Sequence, residues 1–231
     1  MTYFTSELPA IINWFFPSSC VQCHSPIKHC AALCDYCLED LPLFNLAEHT
    51  NLLQRPDIYE MFPNCEFDSL FSCAFYQPPF DYWLKKLKFN NKIHYKVALQ
   101  QVIQKQLIQL FFFSPTRPDI FIILPLHNSR FLARGFNQVS QVWQPLLSEY
   151  APINKSLIRN KKTQAQSALS KAKRMKNLKG AFVCTQDMSD KTVAIIDDVM
   201  TTGATLNAAT RALKEAGAKH VWAFTTCLTP L

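Results

Sequence analysis

A chain of 231 residues, 48% hydrophobic and 18% charged, is long enough to bury a substantial core as one medium domain, with or without a small appendage. No run of about twenty apolar residues could span a bilayer, and the start, Glu7 and Pro9 ahead of a short apolar patch, lacks the basic opening and cleavage site of a secretory leader. A cytoplasmic protein without membrane insertion is expected. The net charge is +7, but nine of the 24 Lys and Arg fall in residues 155–179, which hold no acid, so the basic excess belongs to one segment and not to the whole surface.

Residues 8–16 read as a short apolar helix ended by Pro17. Five of the nine cysteines then fall between Cys20 and Cys37. Cys20-Val-Gln-Cys23 and Cys34-Asp-Tyr-Cys37 are C-x-x-C pairs, a pattern that can set four thiolates tetrahedrally about zinc. In a reducing compartment this clustering points to metal and not to disulfides. A closed four-cysteine site has no open position, so the zinc is structural and its binding energy helps fold the appendage. A redox dithiol or buried free thiols are the competing readings, and His24, His29 or Cys30 can stand in for one ligand. Residues 40–63 are turn-rich and carry little signal. The isolated Cys65 and Cys73 read as small apolar residues. The expected division is residues 1–63, with the knuckle, and 64–231.

Residues 70–76 predict a strand. After Pro78-Pro79, a helix carries Phe80, Trp83, Leu84, Leu87 and Lys88, read as core packing. Residues 95–110 predict another helix, with Ala98, Val102, Leu107 and Leu110 inward. Residues 119–124 form an unbroken apolar strand of the kind buried on both faces of a parallel sheet. It ends at Pro125 and Leu126, and residues just past the carboxyl end of such a strand line a ligand crevice. Arg134 and Gln138, opening the next helix, can offer a cation and an amide there; for Arg134 a surface ion pair is the plainer role. The basic segment follows, with Lys161, Lys162, Gln166, Lys171, Lys173 and Arg174, and a short helix over 170–178. Its composition suits a lid on a pyrophosphate, contact with a nucleic-acid backbone, or a solvated loop.

After a strand over 181–184 and a turn near Asp190 comes the most informative stretch. Residues 193–196 are a buried parallel strand, which the carboxylates of Asp197 and Asp198 are expected to close. Thr201, Thr202, Gly203, Ala204 and Thr205 then lead into an amphipathic helix with Leu206, Ala209 and Leu213 inward, stopped by Gly217. Backbone N–H groups and hydroxyls at a helix start suit a phosphate. The acidic pair suits vicinal ribose hydroxyls and can hold Mg2+ through water. A plain helix cap by Thr202 or Thr205 is the bland alternative. A Walker nucleotide site is excluded, because none of the four glycines (135, 180, 203 and 217) precedes Lys-Ser or Lys-Thr. Residues 219–227 supply a last strand. Strands alternating with helices predict a mainly parallel α/β sheet.

The stretch from Asp197 to Thr205 resembles the phosphoribosyl pyrophosphate (PRPP) loop of type I phosphoribosyltransferases. The order of motifs is similar to that of the ComF/GntX family of competence-associated proteins: the two cysteine pairs, Leu87-Lys88-Phe89, Pro125-Leu126-His127, Arg134-Gly135-Phe136-Asn137-Gln138 and Lys162-Thr163-x-x-Gln166. The resemblance implies a type I phosphoribosyltransferase fold with a small N-terminal four-cysteine zinc finger. A second cysteine pair found in several members is reduced here to Cys65 and Cys73. On this resemblance Asp197 and Asp198 hold the ribose of PRPP, and Thr201, Thr202, Gly203, Ala204 and Thr205 hold its 5′-phosphate. Pro125, Leu126, Arg134, Gln138, Lys162 and Gln166 meet the pyrophosphate, and any catalysis falls to Asp197, Asp198 and Arg134. The implied cofactors are structural Zn2+, and Mg2+ bound with PRPP. The family's link to natural transformation implies single-stranded DNA as a partner, with Lys161, Lys162, Lys171, Lys173 and Arg174 on its backbone, and a competence helicase or recombination mediator beside it. Two functions are thereby expected: a PRPP-binding competence protein handling incoming DNA, or an active phosphoribosyltransferase with a nucleobase-like acceptor.

Overall fold

The computed structural model describes residues 19–27, 31–90, 93–125, 136–159 and 180–230. The expected first helix, Cys30, Leu126, Arg134 and the basic segment from residue 160 to 179 lie outside them. Among the described residues six strands run β1 (Ser69–Phe75), β2 (Ile120–Ile123), β3 (Leu157–Arg159), β4 (Phe182–Cys184), β5 (Thr192–Met200) and β6 (His220–Leu228). Helices are α1 (Asp35–Glu39), α2 (Pro56–Met61), α3 (Phe80–Asn90), α4 (Ile93–Phe113), α5 (Gln138–Leu147) and α6 (Ala204–Glu215).

Strands β1, β6, β5 and β2 lie in that order in one sheet, and every pairing is parallel. The unbroken apolar runs explain the arrangement: Val193, Ala194, Ile195 and Ile196 of β5 and Phe121 of β2 are wholly buried, as strands covered by helices on both faces must be. Phe71, Phe121, Trp143 and Phe224 pack ring against ring across the sheet. The Trp143 indole N–H is satisfied by Thr226 Oγ1 at 3.0 Å, so its burial strands no donor.

Strand β5 does not stop at the acidic pair as expected. It runs on to Met200, with Asp197 opposite Thr225 and Val199 opposite Cys227 of β6. On its other side, β2 ends with Ile123 opposite Ile196. One edge of β5 thus stays laddered while the other is released just where Asp197 begins, and that one-sided release opens the crevice. A second correction concerns residues 181–184. Their strand, β4, does not join the main sheet but pairs antiparallel with β3, which at three residues is too short for a periodic signal.

Residues 40–63, read as turns, contain a 3-10 helix (Leu52–Gln54) capped by Asn51, then α2 with Pro56 at its start. Leu46, Leu52 and Ile58 from this segment are fully buried in the common core. The cysteine knuckle docks on α4: Gln101 Oε1 accepts the N–H groups of Ala32 and Leu33 at 2.6 and 2.9 Å, and its Nε2 donates to Leu33 O at 3.2 Å. Among the described residues no helix is long and apolar enough to cross a membrane.

Candidate functional site

At the released edge of β5 lies a cleft of about 280 Å³. It is lined by Asp197, Asp198, Thr201 to Thr205, Pro125 and Gln138. Seven residues expected from the sequence to hold ribose and phosphate, and two expected near the pyrophosphate, therefore share one concavity. Leu126, Arg134, Lys162 and Gln166, with the DNA candidates Lys161, Lys171, Lys173 and Arg174, lie outside the described residues.

The loop from Thr201 to Thr205 is shaped by Gly203, whose φ of +70° lies in the left-handed region that side chains disfavour. A Cβ there would sit 3.3 Å from Met200 Cε. Gly203 is also the N-cap of α6, with no side-chain cap hydrogen bond. Neither Thr202 nor Thr205 takes the capping role, and the N–H groups of the first turn point from an end rich in partial positive charge. Segment 64–68 braces this helix. Asn207 Nδ2 donates to Asn64 O at 2.7 Å and Asn207 Oδ1 accepts the Glu66 N–H at 3.0 Å. Arg211 pairs with Glu66 and Lys214 with Asp68.

The acidic pair is asymmetric. Asp197 Oδ1 accepts the Asp198 N–H, Asp198 Oδ1 accepts the Val199 N–H, and Asp198 Oδ2 accepts Gln138 Nε2, each at 2.8 Å. Lys88 Nζ lies 3.7 Å from the same Oδ2. Burial and the adjacent Asp198 charge push the Asp197 carboxyl well above the usual carboxylate range. Burial opposes ionisation of Asp198 too, but the Lys88 charge, the Gln138 amide and the hydrogen bond from Asp197 outweigh it and hold that group below the usual range. Two carboxyl groups shifted in opposite directions thus stand side by side, and their oxygens can accept from the hydroxyls of a vicinal diol. The Lys88 ammonium beside Asp198 Oδ2 disfavours a magnesium ion bound directly by that oxygen.

Lys88, Tyr76 and Thr229 also line the cleft and were not expected from the sequence, and Arg159 reaches it from the start of the basic segment. Tyr76 directly follows β1, so the carboxyl-end rule that picked out Pro125 would have found it. Lys88 stands one turn beyond Leu84 on α3 and was read as part of the packed face. Its charge among inward apolar neighbours was the available signal. Arg159 ends the short β3 and stacks on Phe182, its guanidinium carbon 5.3 Å from the ring centre.

The second site is the knuckle. The Sγ atoms of Cys20, Cys23, Cys34 and Cys37 lie within 4.8 Å of one another, and no other such group of three or more metal-ligating side chains occurs among the described residues. Cys23 and Cys34 are 3.7 Å apart. Thiolates at tetrahedral corners about zinc, at about 2.3 Å each, stand about 3.8 Å from one another. The N–H groups of Cys34 and Cys37 point at the sulfurs of Cys20 and Cys34, each at 3.4 Å. Hydrogen bonds from Ser25 pull the Cys23 thiol down to about 6, ready to ligate at neutral pH. The four residues fit a metal ion such as zinc, which would supply structure and no chemistry.

A parallel sheet with an acidic pair and a threonine-glycine loop at its carboxyl edge, beside a four-cysteine cluster, defines a protein of the type I phosphoribosyltransferase fold. The phosphoribosyl transferase domain family matches residues 132–230. DNA utilization protein YhgH of Escherichia coli O157:H7 is 28% identical over 214 residues, 91% of this chain and 84% of that protein. Competence protein F of Haemophilus influenzae is 27% identical over 225 residues, 90% of this chain and 95% of that one. Competence protein ComFC of Streptococcus pneumoniae is 34% identical over 104 residues, 45% of this chain and 46% of the other. These likenesses support a ComF-like family for this chain.

Proposed function

We propose that this protein is a ComF-like competence protein that binds PRPP in the β5 cleft and handles incoming single-stranded DNA in the cytoplasm. The observation that carries the first half is the meeting, in one cleft, of the glycine-capped N-terminus of α6 with the acidic pair Asp197 and Asp198. The 5′-phosphate takes the N–H groups and hydroxyls of Thr201 to Thr205. The ribose diol takes the acidic pair, with Gln138 orienting Asp198. Pro125 and Leu126, Arg134, Lys162 and Gln166 receive the pyrophosphate. The DNA half is supported by the names of the relatives and by the cations of residues 155–179, among them Lys161, Lys171, Lys173 and Arg174, which suit a phosphate backbone.

The test is calorimetric titration with PRPP in magnesium buffer, followed by an assay for pyrophosphate release with nucleobases and single-stranded DNA, using Asp198→Asn as the control. Binding that the control loses supports the PRPP reading. Acceptor-dependent release would make the protein an active phosphoribosyltransferase, whereas binding without consumption marks the ligand as a signal for DNA handling. Wild-type protein that takes up no PRPP overturns the reading.

A further inference from the structure

Helix α3 carries three lysines, and the structure divides their work. Lys85 pairs with Asp81 at 3.0 Å, one turn away. Lys86 lies over the Tyr82 ring at 5.1 Å. Lys88 alone of the three reaches the cleft, where its ammonium stands 3.7 Å from Asp198 Oδ2 with 34% of its side chain exposed. The oxygen it faces is the one that Gln138 also holds. The charge that a divalent ion would bring to this oxygen is thus already supplied by a protein ammonium.

We propose that Lys88 is a built-in counter-cation for Asp197 and Asp198, so that the cleft takes a ribose 5-phosphate group without a divalent metal at the acidic pair. This rests on the ribose-phosphate reading of the cleft and adds how the pair's charge is balanced. An ammonium carried by the chain is present before the ligand arrives, so it costs no ion capture. At 3.7 Å it attracts the carboxylate while leaving it room to turn toward a hydroxyl. Lys88 is thus a positioning residue, acting on the ligand through Asp198.

The experiment is titration of ribose 5-phosphate, followed by NMR, into wild type, Lys88→Met and Lys88→Arg, each in EDTA and in excess magnesium. Wild type should bind with affinities within roughly threefold of each other in the two buffers. Lys88→Met, which keeps the apolar stem, should lose roughly tenfold or more in EDTA, the scale of a lost charged contact, and regain most of it in magnesium. Lys88→Arg should stay near wild type in both. The inference is overturned if wild type binds only with magnesium, if Lys88→Met matches wild type in EDTA, or if its loss is not recovered by the metal. Should Lys88→Met fail to fold, the wild-type comparison and Lys88→Arg still decide. Wild type that binds in neither buffer condemns the ribose-phosphate reading itself, an outcome distinct from metal-dependent binding.

Discussion

Gln138, the first residue of α5, donates from Nε2 to Oδ2 of Asp198 on β5 across 2.8 Å. The amide is 4% exposed, so this bond is made out of bulk water, where a hydrogen bond to a charged group is worth about 1.5–3 kcal/mol. Asn137 fixes the donor by capping the helix through the N–H groups of Val139 and Ser140. Gln138→Leu should weaken PRPP binding by at least about tenfold. It should also raise the pH below which binding is lost, because the amide helps hold Asp198 ionised. Calorimetry from pH 4 to 8 reads both effects, and an unmoved acid limb would remove Gln138 from the site.

Asp197 behaves in the opposite sense. Its folded-state pKa is raised, so its favourable contribution to stability is complete below the unfolded aspartate value of about 3.9 and is lost as pH rises toward the folded value. Asp197→Asn mimics the neutral form. It should raise Tm at pH 8, by about 2–4 °C for each kcal/mol recovered, with little change at pH 4. Thermal melts at the two pH values provide the check; an equal shift at both would contradict the raised pKa.

Gly203→Ala puts a side chain where φ is +70° and Met200 Cε would stand 3.3 Å away. The left-handed conformation alone costs about 1–2 kcal/mol for an L-residue, so the urea midpoint should fall. Because this residue shapes the phosphate loop, affinity for PRPP should fall by more than the stability change explains. Wild-type affinity in a folded Gly203→Ala protein would place the phosphate elsewhere.

The protein as purified should hold about one zinc per chain, and Cys34→Ser should lose it. Since Gln101 grips the Ala32 and Leu33 N–H groups, chelation should speed hydrogen exchange at those two amides more than along β5. A folded wild type without metal would count against the zinc assignment.

If the basic segment holds single-stranded DNA, log affinity should fall with log salt by roughly 0.7 per phosphate neutralised, a slope near −3.5 for about five contacts. Filter binding between low and physiological salt measures it. A flat response would detach the DNA role from that segment.

Much of this was legible in the sequence because it was local. Apolar runs of four or more residues marked β2 and β5, and the run from Thr201 to Thr205 around Gly203 marked a turn into a helix without reference to any other part of the chain. The paired C-x-x-C spacing likewise picked out four cysteines, which the structure gathers within 4.8 Å. The tertiary structure decided what pairing and packing decide. Strand β5 outlives its neighbour β2 because β6 continues to offer hydrogen-bond partners along its other edge, and no local pattern encodes which neighbour ends first. The approach of Lys88 and Gln138 to Asp198 belongs to the same class. Each comes from a different helix, and only the packing of α3 and α5 around the end of the sheet brings an ammonium and an amide to one carboxylate oxygen.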